Sequence, residues 1–249
     1  MNKPVLPAAG PYTARLRQIG SFCLDVVFPP VCVLCGRVGW LLCPSCESRL
    51  AVVALSICYH CGRMGESGQA LPIGFICREC RTTPSSLRQM RAPLRYQEPT
   101  SSLIHRFKYE GFSALGRPLA RFLVDDWPDW EQSPDLIVPI PLHPKRRRRR
   151  GYNQSELLAK PLGAATSIPV HAPALRRTRH TIPQVGLGPD ERQDNVRGAF
   201  EADAAVVGGR HILLIDDVLT TGATLSAAAG ALLTAGAADV SAYCLARVR

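Results

Sequence analysis

Two adjacent carboxylates, Asp216 and Asp217, stand between an apolar run, Ile212 to Ile215, and the small-residue stretch Thr220-Thr221-Gly222-Ala223-Thr224. Carboxylates suit sugar hydroxyls or a hydrated Mg²⁺, and they repel phosphate. The stretch after them suits the opposite partner, because Gly222 lets the backbone approach an anion and the three threonine hydroxyls donate to phosphate oxygens. A helix starting there adds unpaired N–H groups and a positive dipole end. Acids followed by an anion loop point to a sugar phosphate. The plainer reading is a solvated strand end before an ordinary helix start. Two rival nucleotide sites fail on sequence: the chain has no Gly-Lys pair for a P-loop and no GxGxxG after a predicted strand.

Eight of the ten cysteines form four Cys-x-x-Cys pairs: Cys32/Cys35, Cys43/Cys46, Cys58/Cys61 and Cys77/Cys80. Each such turn aims two thiolates at one tetrahedral ion, and two turns complete a closed, structural site. Four pairs predict two Zn²⁺ ions. Sequential pairing is expected, first with second and third with fourth, an interleaved arrangement being the alternative. Segments this short bury little apolar surface, so the metal supplies folding free energy. A redox pair would instead stand alone beside a βαβ unit. Cys23 and Cys244 remain as core residues, and His60 lies inside a pair whose cysteines already suffice.

The elements that must position these residues follow from periodicity. Ile212 to Ile215 suits a strand buried on both faces of a parallel sheet and bounded by the acids. Thr224 to Thr234 is rich in helix formers with Gly236 as the cap, and Val240 to Val248 reads as the next strand of a right-handed βαβ unit. Leu136 to Ile140 is a second buried strand, followed by the basic run Lys145 to Arg150 and a helix from near Ser155. In parallel sheets ligands collect beyond the carboxyl ends of strands, where Arg149 and Arg150 would hold a pyrophosphate. The same run also reads as a solvated, flexible segment or as a contact for nucleic-acid backbone.

Residues 100 to 126 carry helical patterns broken at Glu110-Gly111, with Lys108 near the break either solvated or within reach of an anion. Residues 176 to 200 are polar and contain Pro183, Gly186, Gly188 and Pro189, which predicts a loop over the ligand end. Arg81 to Leu94 reads as a linker. Residues 1 to 12 read as disordered, and the spacing of Leu16, Ile19, Phe22 and Val26 predicts an amphipathic helix stopped by Pro29-Pro30. The expected organisation is a tail and helix over 1–28, a zinc module over 29–83 and an α/β domain over 94–249.

The 249-residue chain has a formal net charge of +10, carried mostly by arginine, which favours phosphorylated or polyanionic partners. No apolar run approaches the ~20 residues that span a bilayer. Without an apolar stretch before a small-residue cleavage site, a cytoplasmic location is expected, and there metal explains the cysteines better than disulfides.

Ile212 to Thr224 resembles the phosphoribosyl-pyrophosphate motif of type I phosphoribosyltransferases across four apolar positions, both acids and Thr-Gly-x-Thr. Joined to the cysteine pairs and to IPLHPKRRRRRGYNQSELLA, LDVVFPPVCVLCG and FKYEG, it is similar to the ComF family of competence proteins. That resemblance implies a zinc ribbon fused to a type I phosphoribosyltransferase fold. It implies that Asp216 and Asp217 contact ribose hydroxyls, that residues 220–224 hold the 5′-phosphate, and that Mg²⁺ sits on the pyrophosphate. It also implies a role with incoming single-stranded DNA in natural transformation, with competence helicase or recombination proteins as candidate partners and a homodimer as the candidate assembly. An active phosphoribosyltransferase of nucleotide metabolism and a non-catalytic nucleic-acid-binding module are the alternatives.

Overall fold

The computed structural model describes residues 29–53, 57–65, 71–83, 85–179 and 198–248. They fall into two compact units, Met1–Ser48 and Arg49–Arg249. The tail and helix predicted over 1–28, Cys23, and residues 180–197 of the predicted loop lie outside the described residues.

In the first unit Cys32, Cys35, Cys43 and Cys46 bring their sulfurs within 4.8 Å of one another. The turn is held by Gly36 N–H to Cys32 O at 2.8 Å and Cys32 N–H to Arg37 O at 2.8 Å, with Gly36 at φ +78°. The short helix α1, Pro44–Glu47, follows Cys43.

The second unit repeats this construction with Cys58, Cys61, Cys77 and Cys80. Gly62 N–H bonds Cys58 O at 2.9 Å and Cys58 N–H bonds Arg63 O at 2.7 Å, and helix α2, Arg78–Thr82, follows Cys77. The repeat is written in the sequence, as Cys-x-x-Cys-Gly-Arg occurs at both 32–37 and 58–63. Pairing of the cysteines is sequential, as expected.

The rest of the second unit runs β1 (Met90–Arg91), β2 (Leu94–Arg95), α3 (Thr100–Tyr109), α4 (Gly116–Asp125), β3 (Leu136–Pro139), α5 (Pro144–Arg150) and α6 (Gln154–Thr166). It continues with β4 (Leu175–Arg177), β5 (Phe200–Ala202), α7 (Ala204–Val207), β6 (His211–Leu219), α8 (Ala223–Thr234) and β7 (Asp239–Arg247). All pairings in the main sheet are parallel: β1 and β2 flank one edge of β7, β6 its other edge, and β3 lies outside β6. A separate antiparallel pair, β4 with β5, flanks residues 180–197 in sequence. Ile212, Leu214, Val240 and Ala242 share one core with Leu225, Ala228 and Leu232 of α8. Ile137, Leu213 and Tyr243 alternate to the other face, where α4 and α6 pack on the strands and on each other.

Three expectations change. The β6 strand does not end at the acids, because β7 offers partners beyond them, Asp216 opposite Cys244 and Leu219 opposite Arg247. The stretch expected as a linker supplies edge strand β1, paired through Met90 with Ala242 and Arg91 with Tyr243. The basic run, offered as a solvated, flexible segment, is largely exposed but folds as a helix: His143 caps α5 by accepting from Lys145 N–H at 3.3 Å, Pro144 sits in its first turn, and Gly151 at φ +85° ends it. Helix α8 ends as predicted, in a paired turn with Ala237 N–H to Leu232 O and Gly236 N–H to Leu233 O, both at 3.0 Å.

Candidate functional site

A cavity of about 900 Å³ opens at the carboxyl end of the sheet. Its floor is Asp216 and Asp217 from β6, one wall is the turn into α8, and the opposite wall is α5 with the end of α3. Of the residues singled out in the sequence, Asp216, Asp217, Thr220, Gly222, Ala223, Thr224, Arg149 and Arg150 all line it. Thr221 instead accepts the Ala223 N–H on its hydroxyl at 3.4 Å.

Gly222 makes the turn possible. It sits at φ +81°, a conformation costly for side-chain-bearing residues, and its carbonyl accepts the helical bond from Ser226 N–H at 2.8 Å. Gly222 offers no side-chain cap and Thr221 takes only the Ala223 N–H, so the first turn of α8, which lines the cavity from Ala223 to Leu225, brings the positive end of the helix dipole to it.

The acids are held unequally. Asp216 Oδ1 accepts from Ser155 Oγ at 3.0 Å and from Asp217 N–H at 2.9 Å. Burial and the Asp217 charge nevertheless push its carboxyl up to about 7, against the pull of Lys108 and these donors. Asp217 is 3% exposed; its Oδ1 lies 2.9 Å from Lys108 Nζ, while Oδ2 is buried with no hydrogen-bond partner among the described residues. Burial opposes the Lys108 charge, but Asp217 and Asp216 outweigh it and hold the ammonium above its ordinary value.

Ser155 is placed by Asn153, which caps α6 by accepting from Ser155 N–H at 3.1 Å and donates to Ile140 O at the end of β3 at 3.0 Å. The basic wall is also ordered. Arg150 donates to Gln154 Oε1 and lies 5.1 Å from the centre of the Tyr109 ring. Arg147 turns aside to Glu156 at 3.0 Å. Arg146 lines the cavity, and so does Arg177 of β4, which stacks over Phe200 of β5 at 5.3 Å. Burial, reinforced by Arg146, lowers the Arg177 guanidinium to about 10. Neither Ser155 nor Arg177 stood out in the sequence. The first read only as a helix start and the second as part of a polar stretch, since partners more than twenty residues away along the chain define both.

The cysteine clusters fit zinc by their own chemistry. Burial would raise Cys32 and Cys58, yet backbone N–H groups, led by those of Cys43 and Cys77, lower each to about 6. Burial and three neighbouring sulfurs push Cys46 up to about 12, so four thiolates coexist only around a cation.

Residues 23–81 match the double zinc ribbon domain, and residues 162–249 match the phosphoribosyl transferase domain. The chain is 35% identical to the DNA utilization protein YhgH of Escherichia coli strain K12, over 88% of its own length and 97% of the relative's. It is 32% identical to Competence protein F of Haemophilus influenzae, over 83% and 90% of the two lengths. It is 31% identical to Competence protein ComFC of Bacillus subtilis, over 83% and 84%. With a double zinc ribbon ahead of a phosphoribosyltransferase-type domain and relatives that match nearly end to end, the chain belongs to the ComF family.

Proposed function

We propose that the cavity binds phosphoribosyl pyrophosphate together with Mg²⁺, and that the protein uses this site while handling single-stranded DNA in the cytoplasm during natural transformation. The observation that carries the ligand is one of opposed charge: Asp216 and Asp217, the latter with a buried Oδ2 that has no hydrogen-bond partner among the described residues, line the same 900 Å³ cavity as a helix N-terminus and Arg149, Arg150 and Arg177. An acidic floor suits ribose hydroxyls, and basic walls suit phosphates at both ends of the sugar. In this reading Asp216 and Asp217 fix the ribose, residues 220–224 hold the 5′-phosphate, and Arg149 and Arg150 face the pyrophosphate. The Asp217 oxygen without a hydrogen-bond partner among the described residues also suits a hydrated Mg²⁺, which when bound would neutralise pyrophosphate charge. The DNA role is supported by the names of the relatives, one a DNA utilization protein and two competence proteins. Lys145 and Arg148, exposed on α5 and outside the cavity lining, are the groups left for a nucleic-acid backbone.

A second reading, transfer of the phosphoribosyl group to a nucleobase, is favoured by the rim, where Tyr96 and Tyr109 are 37% and 55% exposed. Thermal unfolding tests the ligand. Phosphoribosyl pyrophosphate with Mg²⁺ is expected to raise the melting temperature more than ribose 5-phosphate or pyrophosphate alone, since a ligand at 100 times its Kd stabilises by about 2.7 kcal/mol. Equal, negligible shifts from all three would exclude the proposed site. Release of pyrophosphate with any added base would select the transfer reading.

A further inference from the structure

The second zinc ribbon is hydrogen-bonded along the β1 edge of the main sheet, separated by β7 from β6, whose end carries the anion loop. Met90 N–H of β1 donates to His60 O at 2.7 Å, and His60 Nδ1 lies 3.0 Å from Arg88 O. Gly62, at φ +69°, is pressed so close that a β-carbon there would come within 2.5 Å of Met90 O. Arg247, 7% exposed on β7, donates to Cys61 O. The Cys58–Gly62 turn, whose shape the tetrad fixes, therefore holds the otherwise open edge of β1.

Met90 carries this contact onward. A methyl group on Gly222 would rest 3.7 Å from the Met90 sulfur and 3.7 Å from Leu219 Cδ1, so these two side chains form the surface beneath the turn. Arg247, in register with Leu219, reaches the ribbon from the same end of the sheet. Met90 itself does not line the cavity.

We infer that the second ribbon is a positioning element for the 220–224 turn, acting through Met90: the Cys58–Gly62 turn fixes the Met90 backbone, and the Met90 side chain supports Gly222. A metal-closed module then sets how firmly the phosphate-binding turn holds its shape. The inference rests on the phosphoribosyl reading only for the turn's ligand, not for the coupling itself.

The test uses the full-length, zinc-loaded protein with Met90→Ala and Met90→Leu. Met90→Ala removes the support without touching the backbone bonds to the ribbon, and is expected to retain both zinc ions. Hydrogen exchange of the peptide spanning 216–226 should speed up by about tenfold in Met90→Ala and return toward wild type in Met90→Leu. Phosphoribosyl pyrophosphate affinity with Mg²⁺ should weaken by about tenfold in parallel. Release of zinc from the second tetrad by Cys80→Ser should raise exchange in the same peptide. Unchanged exchange at 216–226 in a folded Met90→Ala variant overturns the inference. If exchange responds but wild type binds no phosphoribosyl pyrophosphate, the coupling is supported and the ligand reading is the part that fails.

Discussion

Lys108 Nζ, delivered by the last turn of α3, lies 2.9 Å from Oδ1 of Asp217 in the middle of the sheet. The lysine is 21% exposed and the aspartate 4% at the side chain, so the pair is poorly screened. Asp216 beside this pair, buried and facing the Asp217 charge, is pushed up to about 7. The site thus presents two acids of different character from one strand.

Removing the cation should expose this arrangement. Lys108→Met leaves Asp217 buried without its partner, with an expected destabilisation of about 3 kcal/mol at neutral pH by urea unfolding. In wild type the raised lysine contributes fully below 10.5, its ordinary value, and its contribution fades only as pH rises through the higher folded value.

Asp216 gives the opposite pH slope. Its carboxyl moves from an ordinary 3.8 up to about 7, so between those values the folded state binds more protons than the unfolded one. Stability should therefore fall as pH rises from 4 to 7. Asp216→Asn should flatten that slope and, without ligand, gain on the order of 1–3 kcal/mol over wild type at pH 8. Urea titrations across this pH range check the sign.

Asn153 joins the end of β3 to the start of α6 and sets Ser155 under Asp216. Asn153→Ala should cost about 1–2 kcal/mol through the lost cap and the unpaired Ile140 carbonyl. Because Ser155 is displaced with it, ligand affinity should fall as well, measured by calorimetry under conditions where the variant is folded.

The two tetrads share no cysteine, so their metal should be lost separately. Cys43→Ser and Cys77→Ser are each expected to remove one of two zinc equivalents by metal analysis, and chelation of wild type to remove both.

On α5, Lys145 and Arg148 are separable from the cavity. Changing both to glutamine should weaken single-stranded DNA binding and lower its salt slope by about one to two, leaving phosphoribosyl pyrophosphate affinity unchanged. Anisotropy titrations at several salt concentrations read this directly.

The local half of this architecture was legible in the sequence. The apolar run of β6, the helix formers of α8, Gly236 beyond it and the spacing of the cysteines are each set by neighbours in the chain. What escaped depends on distant partners. The β6 strand continues through its acids because β7 pairs with it there, and β1 is a strand because β7 and the Cys58–Gly62 turn hold both its edges. A lone lysine gives no sign in sequence that an aspartate more than a hundred residues on will partner it. The arginine run was ambiguous for another reason: its composition says solvated, while His143-Pro144 and Gly151, three small signals at its ends, set it as a helix.

The central claim is that Asp216, Asp217 and the 220–224 turn form a working phosphoribosyl site. Isothermal calorimetry of the zinc-loaded protein with phosphoribosyl pyrophosphate and Mg²⁺ tests it most directly, comparing wild type with Asp216→Asn/Asp217→Asn of matched zinc content and folded signal. The account predicts saturable, Mg²⁺-dependent binding by wild type that the double variant loses. A folded wild type that binds nothing, or a double variant that binds as tightly, would contradict it.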